Sequence, residues 1–273
     1  LNLPASFAED LLKFRDETQR FKQGVISLAE FRSYRVPRGV YEQREDNTYM
    51  LRTRCPAGAV LPHQLRTLAA VSRRYGNGVL HVTTRQDIQV HRVLLDDLHA
   101  ALTELYAAGL STRGGGGNTV RNITGCHDAG VCPVEAFDVS PYVVALTESL
   151  LPDPVSYQLP RKYKIAFSGC SRDCAGATVN DLGFVAKTSD GVTGFAVYVG
   201  GGMGAHGRVG QLFEPFVPAD QIHLVAEAVK RVFDQHGNRK NRNRARLRFL
   251  VEQIGQSRFR ELYERELDVL RTA

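Results

Sequence analysis

Four cysteines in two closely spaced pairs constrain this 273-residue chain more than any other feature. Cys126 and Cys132 are separated by five residues, and Cys170 and Cys174 by three. Thiolates paired on short loops suit a four-iron cluster, because each iron takes one terminal soft ligand. Structural zinc also takes four thiolates, but its loops typically have about two to four intervening residues. The spacing therefore favours a cluster and leaves zinc as the alternative.

A fifth cysteine, Cys55, has no partner close to it in the sequence. An odd number of cysteines argues against a disulfide framework and for metal binding or catalysis. The first residues have an amphipathic helical pattern that contains acids and lacks the basic start of a signal peptide. No apolar run is long enough to span a bilayer. We expect Cys55 to be a small buried side chain and the chain to be cytoplasmic, with no membrane partner.

The order of helix and strand patterns divides the chain into three segments. Residues 1–45 have a helical pattern of mixed charge and are predicted to form an N-terminal helical extension. Residues 46–113 follow the order strand, helix, strand, helix, which is typical of a small α+β domain. A run of four glycines marks the boundary, and residues 114–273 form the third segment, with both cysteine pairs and further strands and helices.

Two predicted strands of the second segment, 48–54 and 79–93, place polar side chains on a shared face of the sheet. Such a face is either exposed to water or covers a polar ligand. The candidate residues on or beside it are Arg52, Arg54, Arg85, Gln89 and His91. In the third segment, the pattern predicts strands at 161–169, 182–188 and 194–200, and helices at 138–151, 218–236 and 241–270.

The net charge of +6 is concentrated in one basic run, residues 237–248. It includes Arg239, Lys240 and Arg242. Three interpretations are open for this run: a solvated helix face, a nucleic-acid surface and a site for an anionic cofactor. No aromatic residues alternate with the basic ones and no known reader motif is present, so we expect no nucleic-acid partner.

With SGCSRDC after a predicted strand, the two cysteine spacings resemble those of the sulfite and nitrite reductase haemoprotein family. The resemblance extends to TTRQDIQVHRV, GNTVRNITGC, LPRKYK, VGGGMG and GNRKNRNRARLRFLVE, and covers about Gly39 to Glu266. It implies an α+β fold in which a ferredoxin-like domain is followed by a mixed αβ domain. The second domain would hold sirohaem and a [4Fe-4S] cluster, joined through a shared cysteine thiolate.

The resemblance also implies roles for individual residues. The cluster ligands would be Cys126, Cys132, Cys170 and Cys174, and Cys174 would bridge the cluster to the sirohaem iron. The anionic substrate would contact Arg85, Arg121, Lys162 and Lys164. Sirohaem has a ring of carboxylates that requires many cations. Its contacts would be Arg52, Arg54, Gln89, His91, Asn122, Arg239, Lys240 and Arg242.

The reaction implied is the six-electron reduction of sulfite to sulfide or of nitrite to ammonia, with electrons from a donor protein. The two anions require the same cations, so the sequence does not distinguish them. Two other functions stay open from the residues themselves. One is a non-catalytic iron–sulfur subunit that transfers electrons, and the other is a structural module held together by zinc.

One feature departs from the familiar two-repeat members of this family, which have the cations in one repeat and the cysteines in the other. This chain has both sets. Lys164 and Cys170 are six residues apart, which is about 20 Å in an extended strand. That span is several times the separation of two axial ligands across one iron. We therefore expect the two sets to face different cofactors, and a pseudo-twofold partner half or subunit to complete each site. The alternative is that only one of the two sets is functional.

Overall fold

The computed structural model describes residues 1–204 and 207–272, which form two compact units that divide after Gly117. The segment predicted as an N-terminal helical extension belongs to the first unit. There Phe14 and Phe31 are buried in the same core as Leu51 and Val90 of the sheet. The helices at the start of the chain thus bury their apolar faces against the ferredoxin-like part.

The first unit is an antiparallel four-stranded sheet with helices packed on it, in the strand order β1-β2-β4-β3. Its elements are α1 (Ser6–Lys22), α2 (Leu28–Arg35), β1 (Val40–Glu42), β2 (Thr48–Thr53), α3 (Pro62–Tyr75), β3 (Leu80–Val82), β4 (Ile88–Leu94) and α4 (Leu98–Ala107). Local signals fix the helix ends. The Ser27 hydroxyl accepts the Glu30 N–H (3.3 Å) and the Glu30 carboxylate accepts the Ser27 N–H (2.7 Å), which is a capping box at α2.

The prediction of a single strand over 79–93 is wrong, because a tight turn separates β3 from β4. The hydroxyl of Thr83 accepts the N–H groups of Arg85 (3.2 Å) and Asp87 (3.1 Å), and Gln86 adopts a left-handed φ of 57°. A threonine side chain that accepts hydrogen bonds from the next residues favours a turn over an extended chain. Arg85 therefore lies in this turn and not on a strand.

The second unit has a four-stranded mixed sheet in the order β5-β6-β7-β8, parallel only between β5 and β6. Its elements are α5 (Ser140–Leu150), β5 (Ile165–Ser168), β6 (Leu182–Ser189), β7 (Val192–Val199), β8 (Gln211–Pro218), α6 (Ile222–His236), α7 (Leu247–Ile254) and α8 (Gln256–Thr272). Phe167, Phe184 and Phe195 are fully buried and pack with ring centroids 4.6–5.8 Å apart. These aromatic pairs form the centre of the core.

Two expectations for the second unit are corrected, and one strand is added. The predicted strand 161–169 is extended only over Ile165–Ser168, so Lys162, Lys164 and Cys170 lie outside it. The predicted helix 241–270 is two helices, because Gly255 adopts a φ of 80° between them. Strand β8 was not predicted.

Among the described residues, no helix has both the length and the apolar composition needed to cross a membrane.

Lys230 on α6 is fully buried and joins the helix to the loop before β5. Its amine pairs with the carboxylates of Asp153 and Glu227, the latter at 2.6 Å, and lies 3.4 Å from the Ser156 hydroxyl. The Ser156 carbonyl in turn accepts the Val120 N–H at 2.7 Å. The ion pair therefore holds the loop on which the segment beginning at Val120 depends.

Replacing Lys230 with methionine is expected to lower the free energy of unfolding by about 2–3 kcal/mol, because two carboxylates lose their buried cation. Burial alone would raise the pKa of Asp153, but hydrogen bonds from Lys230 and the Val155 N–H lower it below its ordinary value. The wild-type advantage should thus be present above the ordinary carboxyl pKa and disappear as the pH falls through the lowered one. Urea unfolding at several pH values measures this. The control Lys187→Met changes an exposed lysine and should stay within about 0.5 kcal/mol.

Candidate functional site

The two cysteine pairs begin at the same end of two neighbouring parallel segments. Residues 120–124 run parallel to β5, with Val120 opposite Tyr163 and Thr124 opposite Ala166. Cys126 follows two residues after Thr124, and Cys170 follows shortly after the end of β5. Adjacent paired segments lie about 4.8 Å apart. The pairing therefore brings the first cysteine of each pair to one edge of the sheet.

Hydrogen bonds hold the two cysteine loops against each other. The Ala136 N–H of the first loop donates to the Gly169 carbonyl of the second at 2.8 Å. A Cβ atom at Gly169 would lie 3.3 Å from the Cβ of Glu135, so glycine permits this close approach. The Glu135 carboxylate also accepts the Gly130 N–H, at 3.0 and 3.1 Å, which fixes the first loop.

The four cysteines are free thiols in different environments. Cys126 and Cys170 are buried, Cys132 is half-buried and Cys174 is exposed. In residues 1–204 and 207–272, no three histidine, cysteine, aspartate or glutamate side chains converge to hold a single metal ion. A four-iron cluster requires a different arrangement, since each thiolate binds its own iron. Four free thiols on two adjoining loops fit that ligand set.

Cys55 is not part of this arrangement. It is buried in the core of the first unit, with its sulfur 3.8 Å from the Thr53 carbonyl. Burial, with a contribution from the Asp87 charge, raises the pKa of the Cys55 thiol to about 12. A thiol that stays protonated is a poor metal ligand. Its burial agrees with the expectation from the sequence.

A row of polar side chains crosses the sheet of the first unit. Arg52, Gln89 and His81 are paired in register across β2, β4 and β3. The Gln89 amide lies 3.0 Å from the Arg52 guanidinium and 3.1 Å from Nε2 of His91. Burial lowers the pKa of His91, and the neighbouring charges of His81 and Arg52 lower it further. Three of the predicted cofactor contacts, Arg52, Gln89 and His91, therefore form one hydrogen-bonded group.

The other two candidates in this unit lie beyond the regular strands. Arg54 follows β2, is 2% exposed and pairs through its backbone N–H with the Ser111 carbonyl at 2.8 Å. Arg85 is half-buried in the turn before β4. Both thus occupy irregular backbone, in which strand alternation does not determine side-chain direction.

Cations crowd together in the second unit at the other end of the parallel pair. Burial lowers the pKa of the Lys162 amine, and neighbouring positive charges, led by Arg246 and Arg121, lower it further. The pKa of the Arg161 guanidinium is also lowered, by burial first and then by the charges of Arg242 and Arg246. Positive charges that lower one another's pKa values in this way favour binding of an anion. We call these five residues, Arg121, Arg161, Lys162, Arg242 and Arg246, the cation cluster.

Asp181 positions one member of the cation cluster. It is fully buried and accepts hydrogen bonds from Nε (3.0 Å) and Nη2 (2.8 Å) of Arg246. It also accepts the Lys164 backbone N–H at 2.9 Å. A two-pronged ion pair of this kind fixes the plane of the guanidinium. Asp181 was not among the predicted site residues, and neither were Arg161 and Arg246.

Arg248 is a further buried cation that the sequence analysis did not select. It is 7% exposed, and its Nε and Nη1 atoms make no hydrogen bond within the described part of the chain. A Cβ atom at Gly202 would lie 2.6 Å from its Nη1, so the glycine-rich loop gives the guanidinium its space. The signal that could have found it is its position, two residues after Arg246 in the basic run.

The remaining predicted contacts differ in how their charge is balanced. Arg239 pairs with Asp234 at 2.6 Å and donates to the Gln158 carbonyl at 2.8 Å. Lys240 is exposed. Asn122 is buried, and its neighbour Arg121 donates its backbone N–H to Tyr163 at 2.9 Å. The charge of Arg239 is therefore neutralised locally by Asp234.

Residues 116–270 match the family model described as the nitrite and sulphite reductase 4Fe-4S domain. The chain belongs to the nitrite and sulfite reductase family. Residues 41–108 match a second model of this family, the nitrite/sulfite reductase ferredoxin-like half domain. These matches confirm the predicted family and the predicted α+β fold, in which a ferredoxin-like domain is followed by a 4Fe-4S domain.

Relatives in the family agree along most of the chain. The assimilatory ferredoxin-dependent nitrite reductase of Haloferax mediterranei is 35% identical, over 92% of this chain and 47% of its own length. Sulfite reductase [ferredoxin] 1 of Mycolicibacterium paratuberculosis is 32% identical, over 84% of this chain and 44% of its own. The solved NirA protein of Mycobacterium tuberculosis superposes with a TM-score of 0.84 at 28% identity, and covers 94% of this chain and 51% of that chain. The chain spans about half the length of the curated relatives it matches.

Proposed function

We propose that this chain forms half of a reductase that reduces nitrite or sulfite at a sirohaem coupled to a [4Fe-4S] cluster. The observation that supports it most is the pair of adjoining cysteine loops at one end of the parallel segments, with the cation cluster at the other end. When bound, sirohaem and the cluster would supply the electron-transfer chemistry. Cys126, Cys132, Cys170 and Cys174 would hold the cluster, and Cys174 would be shared with the sirohaem iron.

The cations of the chain have two tasks in this proposal. Arg246, held by Asp181, and the buried Arg248 would bind carboxylates of the macrocycle, together with Arg242. The predicted substrate contacts are Arg85, Arg121, Lys162 and Lys164. Because burial and like charges lower the pKa of Lys162, its Nζ would hold a proton less tightly than an exposed lysine. It is therefore suited to donate a proton to a bound oxyanion.

The names of the relatives support the proposed partners. Nitrite reductases and sulfite reductases that use ferredoxin both align with this chain, so we propose a ferredoxin-type electron donor and either anion as substrate. A second half, either a second copy of this chain or a related half, would complete each site. Four cysteines that are to hold a cluster must stay reduced, and this supports our proposal of a cytoplasmic location.

The test is the composition of the anaerobically purified chain. We expect about five irons per chain, about four from the cluster and one from the sirohaem, with about four acid-labile sulfides and one porphyrinoid. The visible spectrum should show a Soret band with a red-shifted α band. A broad shoulder alone would identify a non-catalytic electron-transfer subunit instead. A colourless protein that contains zinc would contradict both of these functions and would support a structural module held together by zinc.

A further inference from the structure

Asp173 lies between the second pair of cysteines in an unusual backbone conformation. Its φ is 51°, in the left-handed region that side chains other than glycine rarely adopt. The Asp173 N–H donates to the Cys170 carbonyl at 3.1 Å, and the Gly176 N–H donates to the Asp173 carbonyl at 2.8 Å. The chain therefore turns sharply at the residue just before Cys174. Such a conformation persists when surrounding interactions determine it.

The carboxylate of Asp173 accepts four hydrogen bonds from both sides of the cysteine loop. Oδ1 accepts the Ser168 hydroxyl at 2.5 Å and the Ala177 N–H at 2.6 Å. Oδ2 accepts the N–H and the hydroxyl of Thr178, at 3.1 and 2.6 Å. Ser168 precedes Cys170 and the other two donors follow Cys174. One side chain thus closes the whole loop.

A second aspartate in the same unit has the same left-handed backbone but lacks the four hydrogen bonds that the Asp173 carboxylate accepts. Asp190, in the turn between β6 and β7, has a φ of 50°. Within the described part of the chain, its carboxylate accepts one hydrogen bond, from the Ser189 hydroxyl at 3.4 Å. Asp190 is an ordinary turn residue, whereas all acceptor oxygens of Asp173 are used. The difference lies in the loop that each residue closes.

We propose that Asp173 is a positioning residue that gives the thiols of Cys170 and Cys174 fixed and different environments before any cluster is assembled. In the structure Cys170 is 9% exposed and Cys174 is exposed, although only three residues separate them. This inference rests on the proposed function, in which both cysteines are cluster ligands. Its physical basis is that a loop already ordered loses less conformational entropy when its side chains bind.

Two substitutions at this position separate the carboxylate from the backbone strain. Asp173→Gly relieves the left-handed conformation but leaves four donors without their acceptor. Asp173→Asn retains the shape, but in either amide orientation its NH₂ group faces the N–H of Ala177 or Thr178. Both should loosen the loop. Asp190→Gly is the matched control, since it relieves the same strain at a turn remote from the cysteines in sequence.

The experiment measures thiol reactivity in the metal-free chain and metal uptake afterwards. Iodoacetamide labelling, followed by peptide mass spectrometry, gives the rate at each cysteine. In the wild type, Cys174 should react about tenfold faster than Cys170, because the buried thiol needs local opening. In both Asp173 variants this ratio should fall severalfold, and iron and sulfide incorporated during reconstitution should fall by about half or more. Asp190→Gly should match the wild type.

The outcomes distinguish this inference from the function on which it rests. A wild-type chain that incorporates no iron and sulfide would overturn both together. A wild type that loads fully, beside Asp173 variants that load as fully and retain the reactivity ratio, would overturn the inference alone. Circular dichroism establishes that each variant is folded. If Asp173→Gly does not fold, Asp173→Asn and Thr178→Val, which deletes one donor hydroxyl, provide the same comparison.

Discussion

Replacing Cys174 with serine is expected to abolish the coupled spectral signature of cluster and sirohaem. In the proposed site this thiolate is shared between the two groups, and a serine hydroxyl does not ionise to replace it. Cys170, the other cysteine of this loop, is buried and would itself hold the cluster, so it would not take the place of the exposed Cys174. Visible and electron paramagnetic resonance spectra of the purified variant, with iron content per chain, measure the loss.

Cys55→Ser is the matched control for this change. Cys55 is buried in the core of the first unit, and its raised pKa of about 12 marks it as a protonated thiol. The control should therefore retain the complete spectrum. Its free energy of unfolding should fall by about 1–2 kcal/mol, because the serine hydroxyl is buried. A Cys174→Ser protein with a normal sirohaem spectrum would contradict the assignment of the bridging ligand.

The cysteine chemistry could be predicted from the sequence because it depends on local spacing. Two thiols separated by three or five residues must lie on one short loop, whatever the surrounding fold. The sequence did not indicate that Cys126 and Cys170 emerge at the same edge, because this depends on the pairing of residues 120–124 with β5. Pairing between segments separated by some forty residues has no local signature.

The errors in the predicted secondary structure have similar physical causes. The pattern over 79–93 alternates through TTRQD, which contains neither glycine nor proline, so the turn at Gln86 had no compositional signal. Strand β8 contains Pro215 and lies at the sheet edge with mostly exposed or half-buried residues, which removes the usual apolar alternation. The break at Gly255 was signalled by the glycine, but the helical period continues on both sides of it.

The missed site residues are those defined by distant partners. Arg246 and Asp181 are 65 residues apart in sequence, and only the fold shows that their side chains form a buried pair. Arg161 has burial and neighbouring charges in common with Lys162, although the sequence analysis selected only the lysine. Arg239 shows the converse, since its motif position suggested a cofactor contact while its nearest acid is Asp234. Residue type alone did not show which partners each of these cations has in the fold.

The parallel pairing of residues 120–124 with β5 also supports the idea that each site needs two halves. Arg121 and Lys162 lie at the amino-terminal end of the paired segments, and Cys126 and Cys170 follow the carboxyl-terminal end. The four residues of β5 separate the two sets. A second copy packed about a twofold axis would place the cations of one chain opposite the cysteines of the other. Symmetric pairing of this kind makes two equivalent sites per dimer.

Mixing two inactive variants tests this arrangement directly. A chain with Lys162→Ala and Lys164→Ala lacks substrate cations, and a chain with Cys174→Ser lacks the bridging ligand, so each alone should reduce neither anion. Random pairing of equal amounts makes half of the dimers mixed, and each mixed dimer has one intact site of two. Coexpression should thus restore about a quarter of the wild-type turnover with a reduced dye as electron source. Coexpression of the Cys170→Ser chain with the Cys174→Ser chain should restore no turnover, because every site then lacks one cysteine. An active wild-type species with the mass of a single chain, together with no recovery in the first mixture, would show that one chain forms the whole site.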